Sequence, residues 1–146
     1  MELDYAFFAD SAAAPDRKLY VLGGGFSTVQ LPALPARLTF AVCAGFRFTS
    51  ADSGRAYDVE LRFLDEHTKL VIEPATLHFE SAPIPPEADL EVTVPTITYI
   101  SPMFGEAGRY TAEYWMGDRL LSTVRLRVVE PQAQAGPPGT QGPRPN

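Results

Sequence analysis

The chain has 146 residues, of which 45% are hydrophobic, and carries a formal net charge of -6 at neutral pH. This length fits one domain, and 14 prolines with 11 glycines favour short extended elements over long helices. The negative charge argues against nucleic acid as the main partner, because phosphate binding needs clustered Lys and Arg. No stretch approaches the roughly 18 apolar residues that a membrane span needs, so we expect no membrane partner.

The chain has a single cysteine, Cys43. A lone thiol cannot form an internal disulfide, whereas small secreted domains usually carry paired cysteines. The segment from Met1 to Asp10 contains two acidic residues where a signal peptide would carry positive charge. These features predict a cytoplasmic location.

Alternation of apolar and polar residues dominates the pattern and predicts strands. Over residues 38–48 one face is apolar, and we expect it to be buried: Leu38, Phe40, Val42, Ala44, Phe46 and Phe48. The opposite, more polar face contains Cys43. Residues 57–63 alternate in the same way. Ser50–Arg55 and Asp65–Thr68 have the composition of turns, and the second turn leads into the apolar run 70–72.

Two strands are predicted to change phase at a proline. The apolar positions move from even to odd numbers after Pro74 and again after Pro95. Proline cannot donate a hydrogen bond to a neighbouring strand, and one extra bulged residue exchanges the two faces. We therefore expect a bend or a change of sheet at both prolines.

The last two strands are predicted at about 108–116 and 119–129. The first should bury Tyr110, Ala112 and Tyr114, and the second Leu120, Val124, Leu126 and Val128. A two-residue turn at Gly117-Asp118 would place these two apolar sets on opposite faces of the sheet. The sequence therefore predicts a three-residue loop, Met116–Asp118, or a bulge near Leu120-Leu121.

No long window has a helical period, although residues 10–17 fit one helical turn or a loop. The predicted fold is all-β: a two-sheet antiparallel immunoglobulin-like β-sandwich over residues 1–129. Residues 130–146 are rich in Pro and Gly and nearly free of strongly apolar side chains. They cannot bury enough surface to offset the entropy of ordering, so we predict a disordered C-terminal tail.

Candidate chemistry is sparse. Gly23-Gly24-Gly25 lacks the lysine and the following helix of a phosphate-binding loop, so a strand end, a bulge or a wide turn is favoured. His67 and His78 have no further ligands at metal-site spacing and are expected to be solvated. Cys43 has no local base and is interpreted as small buried filler. We assign no catalytic, cofactor-binding or metal-binding residue and expect a protein that is not an enzyme.

Trp115 is out of phase with the buried set Tyr110, Ala112 and Tyr114. It either lies on an outer face or an edge near the hairpin tip, where it could stack on a sugar or contact a protein, or covers one end of the core.

Residues Glu106 to Ala112, E-A-G-R-Y-T-A, resemble the D-x-G-x-Y-x-C stretch of immunoglobulin domains. The resemblance implies that Tyr110 forms a tyrosine corner at the start of its strand. Ala112 occupies the cysteine position, so the disulfide framework of those domains is missing here.

Three segments together resemble an uncharacterised bacterial family of small β-sandwich proteins: A-F-F-A-D (Ala6 to Asp10), K-L-Y-V-L-G-G-G-F (Lys18 to Phe26) and G-R-Y (Gly108 to Tyr110). The resemblance reaches Val129 and implies a fold and a cytosolic bacterial setting, with no catalytic residues to transfer.

Two functions are favoured as hypotheses over a third, an enzyme with a site assembled from distant residues such as His67, His78 and Asp or Glu. The first is a non-enzymatic binding or scaffold domain that contacts a protein partner, or a second copy of itself, through a sheet edge or an outer face. The alternative is a small-ligand or carbohydrate-binding module that uses exposed aromatic residues such as Trp115.

Overall fold

The computed structural model describes residues 1–132, and apart from two short 3₁₀ turns, Pro15–Arg17 and Ser50–Asp52, their regular structure consists of strands. The all-β prediction is confirmed for these residues. From residue 133 onwards, the tail predicted to be disordered lies outside the described part. Among the described residues, no helix is long and apolar enough to cross a membrane.

Four antiparallel strands form the first sheet, in the order β2-β1-β5-β8. Their bounds are Glu2–Ala13 (β1), Tyr20–Phe26 (β2), Phe40–Phe48 (β5) and Val92–Ile100 (β8). β5 therefore lies between two neighbours, while β2 and β8 are the edges. Ser50–Arg55 forms the predicted turn after β5, because Asp52 accepts from the Thr49 amide and closes a 3₁₀ turn there.

Five strands form a second sheet that curls into half of a barrel, in the order β3-β11-β10-β6-β7. Their bounds are Thr28–Gln30 (β3), Ala56–Leu64 (β6), Ala75–Glu80 (β7), Gly108–Met116 (β10) and Arg119–Val129 (β11). β3 runs parallel to β11, and the other pairs are antiparallel. Ala36–Arg37 (β4) and Met103–Phe104 (β9) form a small separate pair.

Aromatic rings from the two larger sheets meet in one core. Phe8 and Phe40 of the first sheet contact Phe63 of the second, with ring centroids 6.5 and 6.0 Å apart. Phe104 on β9 closes the end of this cluster, because its ring lies edge-on to Tyr110 at 4.9 Å. Such edge-to-face contacts add to the free energy gained by burying the rings.

The predicted inward face of β5 is confirmed, because Phe40, Val42 and Phe46 are fully buried in this core. The opposite face is equally buried at Ala41 and Cys43, which belong to a second, smaller cluster. The filler interpretation of Cys43 is thus confirmed. Side chains of neighbouring strands cover these two residues, since β5 is central and its own side chains there are small.

The predicted change of phase at Pro74 is wrong, because no strand crosses that residue. β7 begins at Ala75, and in the run 70–72 only Leu70 forms a bridge, with Leu64. The Asp65–Thr68 turn that precedes this run is present, with the Thr68 amide donating to the Asp65 carbonyl.

The predicted change of phase at Pro95 is also wrong. β8 pairs with β5 without a shift in register, and Pro95 lies opposite Gly45. Val94 and Ile100 therefore face the main core, while Ile97 packs against the second cluster. An edge strand tolerates proline without a bulge when the missing N–H would have faced solvent.

The last hairpin has the predicted bounds. Of the two predicted alternatives, a three-residue loop or a bulge near Leu120-Leu121, the structure contains the bulge. Met116 pairs with Arg119 across the two-residue turn, and the register shifts where Trp115 pairs with Leu120 and Tyr114 with Ser122. Leu121 is the extra residue and packs against the core, whereas Leu120, predicted to be buried, is 44% exposed. The bulge lets both strands turn their apolar sides inward.

Tyr110, near the start of β10, makes the local hydrogen bond that the immunoglobulin resemblance implied. Its hydroxyl donates to the backbone carbonyl of Glu106 at 2.8 Å while its ring is buried.

We expect Tyr110→Phe to lower the free energy of unfolding by about 1 kcal/mol, because it leaves that carbonyl without its partner. Urea denaturation measures the change. Tyr20→Phe, at a hydroxyl on an exposed ring, is the control, and equal losses in both variants would contradict this role.

Candidate interaction surface

The outer face of the four-stranded sheet has a floor of small residues. Ala9, Ala41 and Cys43 are fully buried there, although no further sheet covers them in the described chain. Larger apolar side chains lie over the floor, and we call them the outer apolar face: Tyr5, Phe7, Leu19, Val21, Ile97 and Tyr99. Apart from Tyr99 they are only half-buried, so their outer sides face solvent.

Glycine makes room for the rings of this face. A Cβ at Gly45 would clash with the Tyr5 ring, so that ring lies close against the backbone of β5. Tyr5 and Phe7 are stacked at 5.9 Å between centroids. Burial raises the pKa of the Tyr5 hydroxyl, and the neighbouring Cys43 adds to the effect.

The exposed end of this face continues along the edge strand β2. Tyr99 is 52% exposed, and its hydroxyl donates to the carbonyl of Ala12 at 2.9 Å, which ties β8 to the end of β1. On β2 itself, Val21 packs on the outer apolar face, while Tyr20 and Leu22, which alternate with it along the strand, are 57% and 72% exposed. β2 therefore presents both apolar side chains and an unpaired backbone edge to solvent.

An acidic cluster borders the outer apolar face. Arg47 lies opposite Glu2 on β1, and it also forms ion pairs with Asp4 at 3.0 Å and Glu91 at 3.2 Å. Three carboxylates thus surround one guanidinium, which leaves this border negative. The three carboxylates raise the pKa of Arg47, Asp4 most strongly.

The outer face of the five-stranded sheet is polar by comparison. Trp115 lies on it and is half-buried, with the guanidinium of Arg62 at 5.0 Å from its ring centre. Its indole N–H donates to Glu113 at 2.7 Å. Of the two placements predicted for Trp115, the outer face is correct, but Arg62 occupies one face of the ring.

The two histidines lie away from the outer apolar face, and each contacts different carboxylates. Both are exposed, as predicted, and they line different depressions. His78 bonds Asp58 at 2.6 Å and approaches Glu80 at 3.4 Å. The hydrogen bond to Asp58, followed by that to Glu80, raises the pKa of His78.

The remaining candidates have structural roles. Gly25 is a bulge in β2, because Phe26 pairs with Phe8 while Gly24 pairs with Ala9. Its φ of 84° is one that glycine adopts readily, so the predicted bulge is confirmed. Burial raises the pKa of the Cys43 thiol, which keeps it in the less reactive protonated form. In residues 1–132, no three His, Cys, Asp or Glu side chains are grouped to hold a metal ion.

Sequence reasoning missed the outer apolar face, because it read the Cys43 side of β5 as polar. A signal was present. Between Arg37 and Arg47, that side consists of Thr39, Ala41, Cys43 and Gly45, which are too small or too neutral to make a hydrated outer surface. Small residues on a central strand indicate that neighbouring strands supply the covering side chains.

The fold and its two contrasting outer faces define a small all-β domain with one apolar and one polar exposed sheet face. The profile of a protein family matches the sequence over nearly the whole of this fold. The chain belongs to DUF6941, a family of unknown function, whose profile matches residues 4–129. No curated protein matches the chain.

Proposed function

We propose that this domain is a non-enzymatic binding module that acts through protein–protein contacts on its outer apolar face and the adjoining edge strand β2. The observation that carries the proposal is an outer sheet face made of apolar side chains, with Tyr99 exposed on it and Tyr20 and Leu22 exposed on the adjoining edge strand. Contiguous exposed apolar surface marks interaction sites on soluble domains. The edge strand adds backbone groups that a partner strand can bond.

The partner that fits this surface is a protein with an apolar patch flanked by Lys or Arg side chains. The border formed by Glu2, Asp4 and Glu91 keeps excess negative charge beside the apolar face, and complementary charge steers association and sets register. A second copy would bring the same acidic border and a further net charge of -6, which opposes self-association.

The architecture we propose is a two-sheet immunoglobulin-like sandwich. Two features support it: aromatic contacts between the faces of the two larger sheets, and the tyrosine-corner bond from Tyr110 to Glu106. We also propose a cytoplasmic, bacterial setting. The buried free thiol of Cys43 fits a reducing compartment, and the bacterial origin rests on the family resemblance alone.

Site-specific photo-crosslinking in the native host tests the proposed surface. A photoreactive residue replaces Leu22, and the matched control replaces Leu120, a leucine that is also exposed but belongs to the other sheet. We expect a protein adduct from position 22 that is absent from position 120. The crosslinked peptide of the partner should combine apolar residues with flanking Lys or Arg.

The purified pair then gives a quantitative test. Leu22→Asp should weaken binding by about tenfold or more, because it places a charge in a desolvated contact, whereas Leu120→Asp should change it less than about twofold. Adducts with a second copy only would overturn the assignment in favour of self-association. Equal crosslinking from both positions would overturn the surface itself.

The carbohydrate or small-ligand alternative, based on Trp115, has less support, because Arg62 and Glu113 already engage the indole. Trp115 is the only tryptophan, so its fluorescence reports directly on binding near it. A saturable change with a glycan or metabolite, abolished in Trp115→Phe, would favour this alternative over the protein-binding proposal.

A further inference from the structure

Three arginines lie together on the outer face of the five-stranded sheet. Arg109 on β10 lies directly opposite Arg127 on β11, and Arg125 lies opposite Thr111 on the same face. All three arginines are exposed. They line one depression of about 480 Å³, to which Ser27 and Thr111 also contribute.

This arrangement is electrostatically unfavourable for the isolated domain. Like charges directly opposite each other destabilise a sheet. The chain has 18 Asp and Glu against 12 Lys and Arg, and two other strand arginines, Arg47 and Arg62, do pair with carboxylates. Among residues 1–132, by contrast, no carboxylate forms an ion pair with Arg109, Arg125 or Arg127. Glu66, which approaches Gly108, limits the positive region on one side.

We infer that Arg109, Arg125 and Arg127 form a binding site for the phosphoryl group of a small ligand. A guanidinium presents a rigid fork of N–H donors that matches phosphate oxygens in pairs. A phosphoryl dianion would accept from several of these forks while relieving the repulsion between Arg109 and Arg127. The hydroxyls of Ser27 and Thr111 supply further donors at the same depression.

A compact anion fits this site better than a long polyanion. The positive charge is confined to adjacent positions on two paired strands, while the rest of the chain is acidic overall. A nucleic acid strand extends well beyond three side chains and would meet that acidic surface, where its phosphates gain no counterion release. The site is on the opposite sheet from the outer apolar face, so it stands independently of the proposed protein partner.

Calorimetric titration of the full chain with pyrophosphate and with inorganic phosphate, at constant ionic strength, tests the site. We expect saturable binding of both, tighter for pyrophosphate. Arg127→Gln and Arg125→Gln should each weaken it by about tenfold, the effect of losing one charge-assisted contact. The matched control is Arg119→Gln, which removes the same charge from the same strand outside the depression and should change affinity less than about twofold.

Thermal unfolding separates a binding role from a structural one. Without ligand, Arg127→Gln should keep or raise the Tm, since it removes a like-charge pair, and added pyrophosphate should raise the Tm of the unsubstituted protein more than that of the variant. Sedimentation with phosphatidic acid vesicles identifies the source of the phosphoryl group. Protein that sediments with the vesicles binds a lipid-borne phosphate, and protein that does not binds a free one; either result retains the assignment.

Three results would overturn the inference. The first is the absence of pyrophosphate binding. The second is equal weakening by Arg119→Gln, which would indicate a general charge effect. The third is tighter binding of a single-stranded oligonucleotide through the same arginines, which would make a nucleic acid the ligand.

Discussion

Replacing Asp52 by Asn should lower the free energy of unfolding by about 3 kcal/mol at neutral pH, the usual cost of breaking a buried charge pair. Asp52 is only 4% exposed, and one of its oxygens accepts from the amino group of Met1 and from the Tyr57 hydroxyl, each at 2.5 Å. The other oxygen accepts from the Thr49 amide. The variant keeps the shape but leaves a buried ammonium without its counter-charge.

The same carboxylate makes stability depend on pH. Burial by itself raises the pKa of Asp52, but hydrogen bonds from the Met1 ammonium, Tyr57 and the Thr49 amide outweigh it and hold the pKa well below its ordinary range. Its contribution is therefore complete above the unfolded carboxyl value of about 4 and is lost as the pH falls below it. Urea denaturation measures the free energy of unfolding between pH 7 and pH 2. Its fall toward low pH, the acid limb of the stability curve, should be shallower for Asp52→Asn than for the unsubstituted protein.

The exposed turn residue Asp118 supplies the control. Asp118→Asn should leave both the stability at pH 7 and the acid limb unchanged within a few tenths of a kcal/mol. The pKa of Asp65 is also lowered, mainly by the Lys69 amide, but Asp65 is present in all three proteins and cancels in the difference. Parallel acid limbs for Asp52→Asn and the unsubstituted protein would contradict the assignment.

Phe63→Ala should lower the free energy of unfolding by about 4 kcal/mol, at the upper end of core truncations. Phe63 is 1% exposed and stacks on Tyr110 at 5.9 Å, with Phe104 at 6.1 Å. Its ring also contacts both Phe8 and Phe40, so one truncation removes contacts to two rings of the other large sheet. Urea and thermal unfolding measure the loss.

Phe26→Ala is the matched comparison, because Phe26 touches the same Phe8 and Phe40 rings from the half-buried end of β2. Its loss should be about half as large, since the space left behind is open to water and leaves a smaller cavity. A loss at position 26 equal to that at position 63 would contradict the greater burial assigned to Phe63.

Strand existence and the last hairpin could be predicted from sequence because the information is local. Alternation over 38–48 depends on neighbours two residues apart, and the bounds of β10 and β11 follow from the turn at Gly117-Asp118. Face parity, a counting argument that needs only the order of residues, also limits the hairpin to a three-residue loop or a bulge near Leu120-Leu121, and the register shows the bulge.

Features that depend on position within a sheet could not be predicted in this way. The sequence around Pro95 fits a phase change as well as a regular edge strand, and only the strand order makes β8 an edge. The outer apolar face depends likewise on β1, β2 and β8 bringing Phe7, Val21 and Ile97 over Cys43. The arginine site requires knowing that Arg109 and Arg127 pair across 18 positions of sequence, which follows from the register.

The edge strand β2 has a consequence for solubility. It contains no charged residue and no proline, the two features that usually stop strand edges from adding further chains. Its three consecutive glycines serve that purpose instead, since Gly23 and Gly25 have left-handed φ values of 60° and 84° and interrupt the flat ladder that fibril growth requires. Because of the glycines, the edge can still pair with a partner that matches its irregular shape, but it cannot add identical strands one after another.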